Sequence, residues 1–297
     1  MDGQQNIPTL YLKNGYYFRP ITDDMAEKCA EIAAISFAKT NPLAQAIGKT
    51  YEEEKARILK NIKIHQQDPF THVMYDADDE IVAVNFCSKF ADCYLGDMVK
   101  CNFKIDESKY NEKQLAVMNI FAQLYKPVAH ILNDGDYLFQ IYAVNPLYKK
   151  KNFAVPVYNQ IFHYMSTYYG GIRELSFTTN SKMQGIILKL CQGYNVSMID
   201  HNKIEFKGKK IYDGVQNGQL ALNIFGVLQT LNPEYSYLAE SVPKYCEQLG
   251  LKPNYKNPPN LIQNHLALVA KIQSEQSSKK QQIKRAQIQA KQVQASL

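Results

Sequence analysis

None of the six cysteines forms a C-x-x-C pair with another, which removes the commonest zinc and thiol-redox frameworks. Cys29, Cys87, Cys93, Cys101, Cys191 and Cys246 fall mostly inside apolar runs and read as reduced thiols of a cytosolic-type compartment. The histidines, His65, His72, His130, His163, His201 and His265, have no partner at ligand spacing, so no metal is expected. No apolar run reaches the length of a bilayer span. The N-terminus carries neither a basic start with a long apolar core nor an Arg-rich amphipathic stretch. Membrane insertion, secretion and standard matrix import are disfavoured, which leaves the cytoplasm or a cytosol-connected structure such as the cytoskeleton. Tryptophan is absent, and the 21 tyrosines fall mostly at core spacings, which argues against a base-stacking surface.

What is present is a charge confined to one end. The net charge is +6, and from Lys271 onward six basic residues stand against the single Glu275, so the tail holds five of the six charges. Attraction to an acidic surface therefore belongs to the tail. Nucleic acid is a poor candidate, because no aromatic residue lies among those basic residues. Small or apolar residues recur there at Ile262, Val269, Ile272, Ile283, Ala286, Ala290, Val293 and Leu297, a weak heptad seam suited to a partner helix.

Periodicity predicts a strand at Tyr16–Ile21, a helix from Met25 to Phe37, a loop at Ala38–Lys49 and a helix over Glu52–Gln66. Phe70–Tyr75 and Ile81–Ser88 read as a hairpin around the acidic turn Asp76–Glu80. Residues 89–107 give no clear pattern, and Ser108–Leu132 is helix-like. Strand and helix then alternate: Asp136–Val144, Ala154–Tyr168, Leu175–Thr179, Asn180–Cys191. Gly193–Ile199 and Lys203–Tyr212 look like a closing antiparallel pair. The order is that of an α/β domain with a parallel pair joined by a crossover helix. The expected divisions are 1–15, an N-terminal segment; 16–215, the domain; 216–260, a helical and loop extension punctuated by prolines; and 261–297, the basic amphipathic tail.

The stretch with chemical content runs from Tyr142 to Ala154. A strand ends at Val144, a lysine-rich loop follows, and a helix opens near Ala154, so that backbone N–H groups at a helix start face the loop and can hold a pyrophosphate. This arrangement resembles the acetyl-CoA loop of the GNAT N-acetyltransferase superfamily, whose pattern is V-x-P-x-Y-R-x-x-G-x-G/A. Val144, Pro146, Tyr148 and Ala154 match, and Lys149 replaces the usual Arg or Gln. Downstream, Asn180 and Gly193-Tyr194 resemble the family's N…G-F/Y motif. Phe18-Arg19-Pro20, Asn41-Pro42-Leu43 and the run from Gly193 to Tyr212 place the chain beside the arylalkylamine N-acetyltransferase-like branch. The resemblance implies a mixed sheet flanked by helices, with a helical C-terminal extension. It implies an acetyl-CoA site made from Ala143, Val144, Lys149, Lys150, Lys151, Asn152, Phe153, Ala154 and Asn180.

Departures from the pattern bear on catalysis. Asn152 stands where the loop glycine would allow positive φ, although Asn tolerates that geometry better than most residues. Pro156 removes one N–H from the helix start. Asn41 stands where the branch carries a glutamate base, and a general base is worth about 10²–10⁴-fold in rate. The helix after Asn180 has no tyrosine to protonate a leaving thiolate, and Ser181 is its nearest hydroxyl. No catalytic residue is assigned; Asp97, Asp134 and Asp136 are the candidates for a substitute base. Lys149–Lys151 read either as a solvated loop or as a phosphate-facing one, and Asn180 either as a helix cap or as a cofactor contact. These departures favour a weak or inactive GNAT-like domain that serves as a structural or adaptor subunit, with its 216–297 extension meeting protein partners. The alternative is an active acetyl-CoA-dependent N-acetyltransferase acting on an amine.

Overall fold

Alternating and continuous apolar runs resolve into one eight-stranded sheet in the computed structural model. It describes residues 7–148, 154–169, 173–213, 215, 219–225 and 231–253, with separate tail positions between 267 and 289. The strands are β1 (Leu10–Tyr11), β2 (Tyr17–Pro20), β3 (His72–Tyr75), β4 (Ile81–Lys89), β5 (Tyr137–Val144), β6 (Glu174–Thr178), β7 (Tyr194–Asp200) and β8 (Gln219–Phe225). Their spatial order is β1-β2-β3-β4-β5-β6-β8-β7, antiparallel throughout except for the parallel pair β5–β6.

The helices are α1 (Ala26–Thr40), α2 (Pro42–Ala46), α3 (Tyr51–Gln66), α4 (Tyr94–Lys100), α5 (Glu112–Tyr125), α6 (Ala154–Tyr169), α7 (Ser181–Lys189) and α8 (Leu238–Gln248). Reciprocal capping boxes start α3 (Thr50 with Glu53) and α5 (Asn111 with Gln114), satisfying N–H groups that the helices cannot satisfy themselves. The segment expected as a loop after Phe37 contains α2, and the unpatterned 89–107 contains α4.

Helices α1 and α3 pack on one face of the sheet against Val73, Val84, Phe86, Ile141 and Ala143. Helices α4 and α5 cover the same face farther along, over Leu138, Leu175, Leu222 and Ile224. On the opposite face, α6 and α8 bury Phe18, Met74, Ala83, Cys87 and Tyr137. Helix α7 packs beside them through Ile187 on Phe225. Gly193 permits the tight return from α7 to β7: a Cβ there would stand 2.7 Å from Ile187 Cγ2.

Two expectations need correction. The antiparallel partner of β7 is β8, inserted between β6 and β7, and not residues 203–212. That segment makes one bridge, Phe206 to Lys209, around Lys207 and Gly208 at φ 49° and 73°. The sheet therefore runs past Val215. Helix α8 also belongs to the domain's own core, since Leu238, Val242, Tyr245 and Cys246 are buried against α6 and the sheet.

Candidate functional site

A strand in the middle of an eight-stranded, helix-covered sheet should be buried on both faces. Strand β5 is not: Phe139, Gln140, Tyr142 and Val144 are each partly exposed. The cause is a gap. The ladder between β5 and β6 covers only Tyr137–Phe139 against Glu174–Ser176. Beyond it, β5 keeps its pairing to β4 as far as Val144, and β6 keeps its pairing to β8 as far as Thr178, but the two strands no longer pair with each other. The closed end is clamped by Arg173, whose Nε and Nη2 donate to the two carboxylate oxygens of buried Asp136 at 2.7 and 2.6 Å. Asp136, a candidate base on sequence grounds, is committed to that pair.

Hydrogen-bond alternation decides which main-chain groups face the gap. Asn145 N–H donates to Val82 across the β4 ladder. In an antiparallel pair successive residues alternate sides, so Ala143 also bonds toward β4, while the N–H groups of Val144 and Tyr142 turn to the open flank. Between Phe86 and Cys87 the register with β5 jumps from Ile141 to Phe139, which leaves Gln140 as the extra residue of a bulge. The bulge resets the side-chain alternation. Tyr137, Phe139, Tyr142 and Val144 lie on the α6 side, with the Phe139 and Tyr142 rings stacked at 5.7 Å, whereas Leu138, Ile141 and Ala143 lie on the α1–α5 side.

The α6–α7 face of the gap holds buried polar atoms without partners. The Tyr142 hydroxyl makes no hydrogen bond, and neither does either amide atom of Asn159. Val155 packs with Ile187 and Cys191, and Asn159, one turn later on α6, shares that α7-facing stripe. Each such orphan costs about 1–3 kcal/mol unless something fills it. Deeper, at the closed end, the Glu174 carboxyl is fully buried with neither oxygen bonded. Burial, and then the nearby Asp68 carboxyl, push it well above the usual carboxylate range. Burial likewise raises Asp68, to about 7. The Cys191 thiol is driven up by burial, so it is no ready nucleophile.

On the opposite face, Ser88 pairs with Leu138, Leu138 with Leu175, and Phe177 follows two residues on, so all four point the same way. Gln140 Nε2 donates to Ser88 Oγ at 2.6 Å. The Phe177 ring stands edge-on to Phe121 at 4.9 Å, and Phe121 meets exposed Tyr94 at 5.7 Å, which makes a row of rings from the surface to the gap. The Asn41 Oδ1 caps α2, accepting from Leu43 N at 3.0 Å and Ala44 N at 3.3 Å. Glu54 is buried in bonds to Lys49 (2.6 Å) and Arg57 (2.8 Å). Burial works to raise its pKa, and the Arg57 and Lys49 charges outweigh it and hold it below the usual range. Asp97 and Asp134 are exposed.

Of the residues singled out in the sequence, the Val144 amide faces the gap and the Ala143 side chain is buried against the α1 side. Ala154 is buried at the first position of α6, and Asn180 caps α7 by accepting from Met183 N at 2.8 Å. Lys149, Lys150, Lys151, Asn152 and Phe153 lie outside the described residues. Gln140, Ser88, Tyr142 and Asn159 were missed. Gln140 had a signal, a lone amide interrupting an otherwise apolar strand.

No family profile matches the sequence, and no curated protein does. Solved structures do. A mosquito arylalkylamine N-acetyltransferase like 5b superposes with TM-score 0.57 at 15% identity, over 71% of this chain and 99% of its own. The fold is that of the GNAT N-acetyltransferases. Arylalkylamine N-acetyltransferase 2 of Aedes aegypti gives 0.54 at 15% identity, over 72% and 100% of the two chains. The C-terminal condensation domain of Ebony, solved with beta-alanyl-dopamine, gives 0.55 at 12%, over 71% and 99%. The α6–α7 side of the gap presents the Val144 and Tyr142 main-chain N–H groups and the orphaned Asn159 amide, groups able to pair with amides of a ligand such as the pantetheine arm of acetyl-CoA. Among the described residues no group of side chains could hold a metal, and no helix is long and apolar enough to cross a membrane.

Proposed function

We propose that this chain is an acyl-CoA-binding GNAT domain with weak acetyl transfer to alkylamines, acting as an adaptor subunit through its basic tail. The observation that carries the reading is the gap between β5 and β6: it keeps main-chain donors and orphaned polar atoms on one side and offers no unpaired carboxylate on the other. Val144, Tyr142, Asn159 and the start of α6 at Ala154 would hold the cofactor, with Lys149–Phe153 as its phosphate loop. An alkylammonium acceptor must lose a proton before it can attack. Asn41 cannot take that proton, and Asp136 and Glu54 are committed to cations.

The partner contact falls to the tail, because α8 is already used by the domain. Every described tail position is exposed, including the apolar Ile288, which suits an acidic partner or a partner helix in a cytosolic setting. Efficient transfer to amines is the alternative reading, and the intact main-chain flank of β5 is the observation on its side.

Release of CoA thiol from acetyl-CoA, followed with phenethylamine at pH 7, tests the choice. The expected rate lies about 10²–10⁴-fold below that of an arylalkylamine acetyltransferase retaining its glutamate base. A comparable rate would overturn the weak-catalysis reading and leave an ordinary enzyme.

A further inference from the structure

The α1–α5 mouth of the gap is not inert, and its chemistry selects a different acceptor. It combines one amide–hydroxyl pair, Gln140 with Ser88, and the row of rings Phe177, Phe121 and Tyr94. Among the titratable groups on the flanking elements, His65 on α3 pairs through Nδ1 with the Cys87 carbonyl oxygen at 2.9 Å, and burial holds its pKa below the usual range. Asp136 is bound by Arg173, and Glu54 by Lys49 and Arg57. Asp92, Asp97, Glu112 and Asp134 lie exposed on the outer surface, and the Cys93 thiol is pushed up to about 11 by burial.

An alkylamine with a lysine-like pKa near 10 is only about one part in a thousand neutral at pH 7, a penalty of roughly 4 kcal/mol. Moving its ammonium into a mouth with no free carboxylate adds a desolvation cost. An arylamine escapes both costs, because its lone pair is delocalised into the ring and it is already neutral.

From the pairing of Gln140–Ser88 with the Phe177 row we infer that this mouth binds primary arylamines, which serve as acyl acceptors without a general base. This rests on the reading that the other side of the gap holds acyl-CoA. Gln140 Nε2 is engaged with Ser88, which leaves Oε1 to accept an amine N–H while the aryl ring lies against Phe177. In the transfer, the amine nitrogen lone pair forms a bond to the thioester carbonyl carbon. The C–S bond breaks with its electron pair on sulfur, and the proton lost by nitrogen ends on the thiolate. Arylamine and acetyl-CoA thus become N-acetylarylamine and CoA. Gln140 determines specificity by holding the acceptor, and no side chain is asked to remove a proton.

The test is calorimetric titration of the full-length chain, with and without CoA, using 4-methylaniline and phenethylamine, followed by turnover between pH 6.5 and 8.5. At pH 7, 4-methylaniline should bind at least tenfold more tightly, and its rate should stay level with pH. The phenethylamine rate should climb about tenfold per pH unit as the neutral amine accumulates. Gln140→Ala should weaken 4-methylaniline about tenfold and leave acetyl-CoA affinity unchanged. Gln140→Glu should reverse the preference toward phenethylamine, which keeps the test decisive should the alanine variant misfold. Equal or tighter binding of phenethylamine at pH 7 overturns the inference, as does indifference to both substitutions. Acetyl-CoA bound with no arylamine bound sinks this inference alone. Arylamine bound with no acetyl-CoA bound sinks the cofactor reading and leaves the mouth assignment standing.

Discussion

On its α6–α7 side the gap between β5 and β6 presents main-chain amides, those of Val144 and Tyr142. On its α1–α5 side it presents side chains: Gln140, Ser88 and Phe177. The two sides age differently. A backbone N–H survives almost any substitution that preserves the strand, so main-chain geometry can persist at the 12–15% identity seen with the solved neighbours. A general base is one side chain, and a single change from carboxylate to amide removes it. On the proposed reading, the chain keeps the main-chain side that would hold acyl-CoA while the side-chain side takes a different acceptor.

The largest expected effect comes from breaking what both sides share. Arg173→Ala would leave Asp136 buried without its cation at the closed end of the gap, a loss of about 3–5 kcal/mol. Denaturant unfolding reads this directly, and acyl-CoA and acceptor binding should weaken together. A change under about 1 kcal/mol would mean that the clamp is dispensable.

Glu174→Gln comes next, at the same closed end. Because burial raises the Glu174 pKa in the folded chain, its contribution to stability is complete below the unfolded value of 4.5 and is lost as pH rises toward the folded one. The variant should therefore gain on the native chain with rising pH above 4.5, by at most about 1.4 kcal/mol per unit. A stability difference that stays constant from pH 5 to 8 would show that Glu174 has found a partner.

Val144→Pro separates the two sides. It deletes an N–H directed away from the β4 ladder, so the sheet should hold. Acetyl-CoA should bind about tenfold more weakly, the worth of one hydrogen bond, while arylamine affinity is unchanged. Parallel losses of both ligands would merge the two sides into one site.

The smallest effect is expected for Asn41→Glu. The longer side chain gives up the α2 cap, at a cost of about 1 kcal/mol, and turnover of phenethylamine should rise less than tenfold. Helix α7 still lacks a tyrosine to protonate the leaving thiolate, and a rise beyond a hundredfold would show that the missing base was the whole deficit.

Much of this arrangement could be read in the chain. Strand β5 and helix α6 were legible because an apolar strand, Pro146 and a long amphipathic helix follow one another. The capping role of Asn180 was legible because Asn before a helical run accepts backbone N–H groups whatever else surrounds it, whereas Asn41 caps α2 inside a segment read as a loop. Strand β8 was not. Inserted between β6 and β7 and buried on both faces, its sequence Gln-Leu-Ala-Leu-Asn-Ile-Phe is short and stands among residues that read as helix and loop. The segment 203–212 imitated a strand because Ile204, Phe206 and Tyr212 are apolar at even spacing, while the turn at Lys207-Gly208 breaks it. The bulge at Gln140 was also hidden. Only the register with β4 shows that one residue of β5 is surplus, and that surplus residue brings Gln140 to Ser88.

The central claim is that the main-chain side of the gap still holds acyl-CoA. Calorimetric titration of the folded, full-length chain with acetyl-CoA tests it most directly, with Val144→Pro and an alanine replacement of Lys149–Lys151 as controls. The account predicts saturable one-to-one binding in the micromolar range, weakened in both variants. No binding at millimolar acetyl-CoA by a folded sample would contradict it and leave the fold as a scaffold alone.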